Sequence, residues 1–206
     1  MKITTTLAFV FALLSSICAQ PPAPNLLKNP SFERGEVGPG KTPRNWKNCG
    51  EKGHSPVDVH YSLAIPPIFG VRAQAAQGDY YLGMVARSDG STECIYQKFK
   101  DLVPPGNFQL SLWVALPETM DNMDILTRKP ASYAHPIGLE IVGIAPDDEA
   151  YLLGSIPSVS EVGWQRLSFE GLSDVTFKGL AIRTVHTGGN PYNGYVLVDE
   201  VEFSVE

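Results

Sequence analysis

Asn25-Leu26-Leu27-Lys28-Asn29-Pro30-Ser31-Phe32-Glu33 near the start of the chain, and Tyr195-Val196-Leu197-Val198-Asp199-Glu200-Val201-Glu202-Phe203 at its close, are the two stretches that decide the fold. Both are strand-like, and each sets one carboxylate, Glu33 or Asp199, among apolar residues that have to be buried. A β-sandwich whose first and last strands pair brings those two carboxylates together.

The chain between these ends is punctuated by 17 prolines and 19 glycines, and no amphipathic helix of normal length stands out. Phe108-Gln109-Leu110-Ser111-Leu112-Trp113-Val114 alternates with period two. Phe108, Leu110, Leu112 and Val114 therefore share one face, and Gln109, Ser111 and Trp113 the other. Further strands are read at 80–86, 93–99, 137–144, 150–153, 165–169, 179–184 and 195–203, and turn signals such as Ser88-Asp89-Gly90 and Gly188-Gly189-Asn190-Pro191 separate several of them. About nine strands and almost no helix predict an all-β jelly-roll sandwich of two antiparallel sheets. Two long irregular stretches, 34–78 and 116–136, interrupt it, and such loops are often functional.

Residues 1–20 read as a secretory signal: basic Lys2, an apolar run from Leu7 to Leu14, and a small-residue exit ending at Ala19-Gln20. Cys18 suggests a lipid anchor, but Ile17 stands where such a site wants a small side chain, and cleavage near Ala19 or Gln20 is the expected outcome. Residues 21–206 suit a single domain. No later stretch is apolar enough to span a membrane as a helix. With 22 acidic against 16 basic residues and a formal charge of −6, the chain lacks the basic balance that nucleic acid demands. Export to an extracytoplasmic compartment makes pairing of Cys49 with Cys94 the expected state, with two separate buried thiols as the alternative.

The opening Asn-x-x-x-Asn-Pro-x-Phe-Glu and the closing Asp199-Glu200-Val201 resemble the galactose-binding-like jelly rolls, among them many carbohydrate-binding modules. The same order of motifs continues through Asn45-Trp46, Gly78-Asp79-Tyr80-Tyr81-Leu82-Gly83, Glu93-Cys94-Ile95-Tyr96-Gln97, the strand ending at Trp113, Pro136-Ile137-Gly138-Leu139-Glu140-Ile141 and Gly163-Trp164-Gln165. It is similar to domains of secreted and envelope proteins of Bacteroidota-type bacteria. The Cys49/Cys94 pair and the Asp199-Glu200 close depart from that pattern. The resemblance implies a structural calcium near the first and last strands, with Glu33 and Asp199 at the matching positions. Two carboxylates plus carbonyls and water are chemically adequate for calcium; the other reading is that both accept backbone N–H bonds at strand ends.

Sugar binding needs aromatic faces for the C–H side of a pyranose and planar polar groups for its hydroxyls. Trp113 and Tyr96, each turned away from the apolar face of its strand, are the expected platforms. Arg87, Glu140, Arg183 and Gln109 are the expected polar partners, with Tyr192 and Tyr195 on one rim. The competing reading covers Trp113 with the 116–136 loop as part of a second core. No catalytic motif accompanies His54, His60, His135 or His186, although Asp58-Val59-His60 places an Asp and a His on one side of an extended segment. The expected activity is non-catalytic recognition of a glycan or envelope polysaccharide outside the cytoplasm. The alternative is a structural component of the envelope or matrix that docks to another surface protein.

Overall fold

The computed structural model describes residues 23–54 and 56–206, so the signal and lipid-anchor readings at 1–20 lie outside the described residues. Two five-stranded antiparallel sheets pack face to face. Sheet I runs in the order β10 (Gln165–Ser173), β5 (Gly106–Ala115), β12 (Gly194–Val205), β3 (Tyr80–Ala86), β2 (Asp58–Tyr61). Sheet II runs β1 (Lys47–Asn48), β4 (Cys94–Val103), β11 (Phe177–Val185), β8 (Gly138–Ile144), β9 (Ala150–Ile156). A two-stranded ribbon, β6 (Asp121–Met123) and β7 (Pro130–Ser132), and a 3-10 turn at Ile68–Gly70 complete the regular structure of the described residues.

The alternation in β5 is realised as read. Phe108, Leu110, Leu112 and Val114 enter the core between the sheets, opposite Ile95, Phe99, Leu180 and Ile182 of sheet II. Where a strand instead reads as a continuous apolar run, both of its faces are covered. Val196 and Val198 of β12, with Leu82 and Met84 of β3, fill the main core. Tyr195 and Leu197, with Tyr81 and Val85, fill a second core on the outer side of sheet I. That second core is roofed by Val71, Met120 and Tyr133, which come from the two long irregular stretches. The expected covering of sheet I therefore exists. It centres on Tyr81 and Tyr195, while Trp113 lies in register between Arg166 and Asp199 and stays half-buried.

The opening segment corrects one expectation, because residues 25–33 form no ladder with β12. Pro30 has no N–H to give, and Asn29 and Phe32 adopt φ of 53° and 59°, so the chain turns instead of extending. The two ends nevertheless close on each other: the Leu26 N–H donates to Phe203 O at 2.8 Å, the Val201 N–H donates to Pro30 O at 3.0 Å, and Asn25 bonds both Val201 O and Phe203 N. Phe32 is fully buried in the main core. The strands β1, β2, β6 and β7 arise inside the stretches read as irregular; each is four residues or fewer, too short for a periodicity to show.

Candidate functional site

The outer face of sheet II carries the most ligand-like arrangement of the sequence candidates. Ile95, Gln97 and Phe99 turn inward, so Cys94, Tyr96 and Lys98 turn outward. Register then builds rows across the sheet. Tyr96 pairs with Ala181, and Ala181 with Val142. One row along, Cys94 pairs with Arg183, and Arg183 with Glu140. The result is an aromatic ring beside a low apolar floor, with an ion pair at one end.

Backbone contacts make room for the ring. A Cβ on Gly179 would stand 2.4 Å from Tyr96 Cε2 and 2.5 Å from Gln97 O, so the ring occupies the space that a side chain there would take. Gln97 itself is buried and fixes β4 from below, accepting from the Lys28 N–H at 2.6 Å and donating to Lys28 O at 2.8 Å. The Arg183 Nε and Nη2 groups donate to Glu140 Oε2 at 2.8 and 2.5 Å, which leaves Glu140 Oε1 unbonded within the protein among the described residues. At the other end Lys178 Nζ donates to Asp148 Oδ1 at 2.7 Å and to Pro146 O at 3.0 Å. Cys49, Cys94, Tyr96, Val142, Asp148 and Arg183 help line a shallow hollow of about 340 Å³.

The cysteines pair, with Cα atoms 4.9 Å apart, and the Cys49 N–H donates to Cys94 O at 2.9 Å. The bridge fastens the two-residue edge strand β1 to β4 and forms one wall of the hollow.

Tyr96, Glu140 and Arg183 thus come together, and the other five expected site residues do not join them. Trp113 lies on the outer face of the opposite sheet, a full sandwich thickness away, because β5 and β4 belong to different sheets. Gln109 shares that face and lines a separate groove with Arg166 and Glu202. Tyr192 is tied into the β11–β12 connection, with its hydroxyl donating to Pro136 O at 2.6 Å and lying 2.5 Å from Thr187 Oγ1. Its ring packs against the main core. Tyr195 is fully buried. Arg87 pairs with the buried Glu93 at 2.5 Å near the sheet I side.

Glu33 and Asp199 both accept N–H groups of the 77–80 loop. Glu33 Oε1 accepts the N–H groups of Asp79 and Tyr80, both at 3.0 Å. Asp199 Oδ2 accepts the Gln77 N–H at 2.9 Å and Oδ1 the Glu200 N–H at 2.7 Å. Gly78 sits between them at φ 67°, and a Cβ there would meet Glu33 Oε1 at 2.3 Å, so both the conformation and the close approach require glycine. Burial pushes the fully buried Asp199 carboxyl up to about 7, against the N–H bonds from Gln77 and Glu200 that lower it. Among the described residues no group of three or more His, Cys, Asp or Glu side chains could hold a metal. A cation here would have two carboxylates and would complete its shell with backbone oxygens and water. Calcium, a hard ion with flexible geometry, suits that donor set.

No protein-family model and no curated protein matches the chain in sequence. Its shape is more informative. The chain superposes on the CBM22-1 xylan-binding domain of Xyn10C from Paenibacillus barcinonensis with a TM-score of 0.51 and 17% identity, covering 91% of this chain and 97% of that domain. The chain thus shares that domain's fold, a β-sandwich of two antiparallel sheets. Larger proteins contain the same sandwich as a part. The arabinose-bound GH51 α-L-arabinofuranosidase superposes with a TM-score of 0.55 and 10% identity, over 87% of this chain and 26% of the enzyme. The enzymatically active domain of tailspike protein 4 from bacteriophage CBA120 does so at 0.51 and 14%, over 88% and 21%. This chain thus spans about a fifth of the tailspike domain and a quarter of the arabinofuranosidase. At these identities the likeness concerns architecture alone. The disulfide fits an extracellular setting, and no helix among the described residues is long and apolar enough to cross a membrane.

Proposed function

We propose that this chain is a secreted, non-catalytic glycan-binding module whose binding surface is the outer face of sheet II, centred on Tyr96. The observation that carries the reading is the cross-strand row Tyr96–Ala181–Val142 lying directly beside Arg183–Glu140. The ring and the small apolar floor offer a sugar its C–H contacts. Arg183 donates to its hydroxyls, and Glu140 accepts from them through the oxygen that Arg183 leaves unused. A protein-docking face would present a broad apolar patch; here ion pairs bracket the ring on both sides, Arg183–Glu140 and Lys178–Asp148. The face is open and shallow, which suits a segment of a chain more than a small enclosed ligand.

Recognition needs no chemistry from the protein beyond positioning. Gly179 and the inward-anchored Gln97 hold the ring, and the disulfide holds the edge strand. We further propose that Glu33 and Asp199 hold a calcium ion that stabilises the junction of the 77–80 loop with β12, away from the glycan face.

The test is a screen of the protein against oligosaccharides, followed by titration calorimetry on any ligand found, with wild type, Tyr96→Ala and Trp113→Ala compared. Binding that Tyr96→Ala weakens and Trp113→Ala leaves unchanged supports the reading. Binding lost in Trp113→Ala but retained in Tyr96→Ala moves the site to sheet I.

A further inference from the structure

A second concavity lies on the opposite side of the molecule and uses none of the residues of the sheet II face. It is a pocket of about 290 Å³ between the outer face of sheet I and its two covering loops. Both long irregular stretches build it: Gly40 and Phe69 come from the first, Met120 and the β6 ribbon from the second. At its floor two carboxylates and a guanidinium meet. Asp58 is held by the Tyr195 hydroxyl, which donates to Oδ2 at 2.6 Å, and by the Gly40 N–H, which donates to Oδ1 at 2.8 Å. Glu93 accepts from Arg87 on Oε1 at 2.5 Å and from the Val85 N–H on Oε2 at 3.0 Å.

This floor is aligned from behind. The Tyr195 phenol has one proton, which it gives to Asp58, so the His60 Nε2 found 2.8 Å away carries a hydrogen and donates to the phenol oxygen. His60 in turn stacks on Tyr81, with ring centroids 4.9 Å apart and planes 2° from parallel. At the mouth, the buried Tyr133 donates its hydroxyl to Met123 O at 3.0 Å and fixes the ribbon, and Arg128 and Asn122 stand exposed beside it.

Here two buried carboxylates share a pocket that also has apolar walls, Phe69 and Met120. Convergent polar groups in a mostly preformed concavity mark a ligand site.

We propose that this pocket is a second ligand site, one that takes a single terminal sugar ring. At about 290 Å³ the pocket lies just below the ~300–1,000 Å³ of small-molecule pockets, room for one compact ring and not for a chain. Two carboxylates, Asp58 and Glu93, line the pocket together with two guanidiniums, Arg87 at the floor and Arg128 at the exposed rim. That balance favours a neutral ligand dense in hydroxyls over an anion or a cation. Each carboxylate oxygen retains acceptor capacity beyond its protein bond, so a pair of neighbouring hydroxyls can donate to the floor while Phe69 and Met120 meet the ring's C–H face.

The site is tested independently of the sheet II face. The isotope-labelled protein is titrated with methyl pyranosides of galactose, glucose, xylose and mannose while backbone amide signals are followed. The expected result is that at least one glycoside shifts the amides of Gly40, Asn122 and Arg128 saturably. Arg128→Gln, at the exposed rim, should weaken that binding several-fold and Asp58→Asn at least tenfold, while Tyr96→Ala leaves it unchanged. If none of the glycosides moves these amides in folded protein, or if the shifts survive both Arg128→Gln and Asp58→Asn, the proposal is wrong. Oligosaccharide binding at Tyr96 is measured separately and does not depend on that outcome.

Discussion

The Tyr96 ring lies across Gly179: a Cβ on the glycine would stand 2.4 Å from Cε2 of the ring and 2.6 Å from its hydroxyl oxygen. An outward residue of β4 is thereby held low against the sheet by the missing side chain of β11. Gly179→Ala therefore displaces the ring without removing any group proposed to touch sugar. It should weaken glycan binding roughly tenfold, or ~1.4 kcal/mol. Because Gln97 O also lies 2.5 Å from that Cβ, it should lower the melting temperature as well. Calorimetry and thermal unfolding on the same variant separate the two effects.

Arg183 and Glu140 make a half-exposed ion pair, which contributes only ~0–1 kcal/mol to stability. Arg183→Ala should therefore unfold within a few degrees of wild type. Its glycan affinity should fall ten-fold or more, since hydrogen bonds to charged groups contribute ~1.5–3 kcal/mol. An equal loss in stability and affinity would mean the pair is structural.

The disulfide joins residues 45 positions apart. A loop of that length stabilises by roughly 4 kcal/mol in the chain-entropy model. The double variant Cys49→Ser/Cys94→Ser should lose ~2–4 kcal/mol in denaturant unfolding. It should also bind glycan more weakly than wild type at temperatures where both are folded, because the bridge walls the hollow beside Tyr96.

Calcium at Glu33 and Asp199 should stabilise the native state by mass action, ~2.7 kcal/mol at a hundred times its dissociation constant, which for a chain of this size is a rise of roughly 5–10 °C in melting temperature. Scanning calorimetry with calcium and with chelator reads the shift, and Glu33→Gln should abolish it. Identical curves with and without chelator would show that the two carboxylates serve only as acceptors for the 77–80 loop.

Burial lowers His60 from its usual 6.5 to about 3. The unfolded chain binds this proton more tightly than the native one. The resulting stability is complete above pH 6.5 and is lost as the pH falls from there toward 3. Chemical denaturation of His60→Gln across that window should show a shallower acid decline than wild type, by up to one proton's slope. Parallel profiles would mean that the histidine is not desolvated as the structure has it.

The strands were legible wherever one physical signal dominated. The alternation of Phe108–Val114 and the apolar run of Tyr195–Val198 place β5 and β12, and the expected pairing of Cys49 with Cys94 needed no geometry. The candidate site was legible only in part, because period two says that Tyr96 and Trp113 both point outward and not that they belong to opposite sheets. Sheet membership depends on long-range register, Tyr96 with Ala181 and Trp113 with Arg166, which no local pattern encodes. The buried set of Asp58, Tyr195, Glu93 and Arg87 was missed as a unit for the same reason. Its one local trace is Asp58-Val59-His60, whose polar residues turn toward a second core instead of solvent. The opening segment misled because Asn29 and Phe32 take left-handed conformations that a strand-like composition does not announce.

The most direct test of the central claim is titration calorimetry of Tyr96→Ala against wild type with an oligosaccharide that the wild type binds. A loss of at least tenfold in affinity with an unchanged melting temperature is the predicted result. Undiminished binding by a folded Tyr96→Ala protein would contradict a glycan site on the outer face of sheet II.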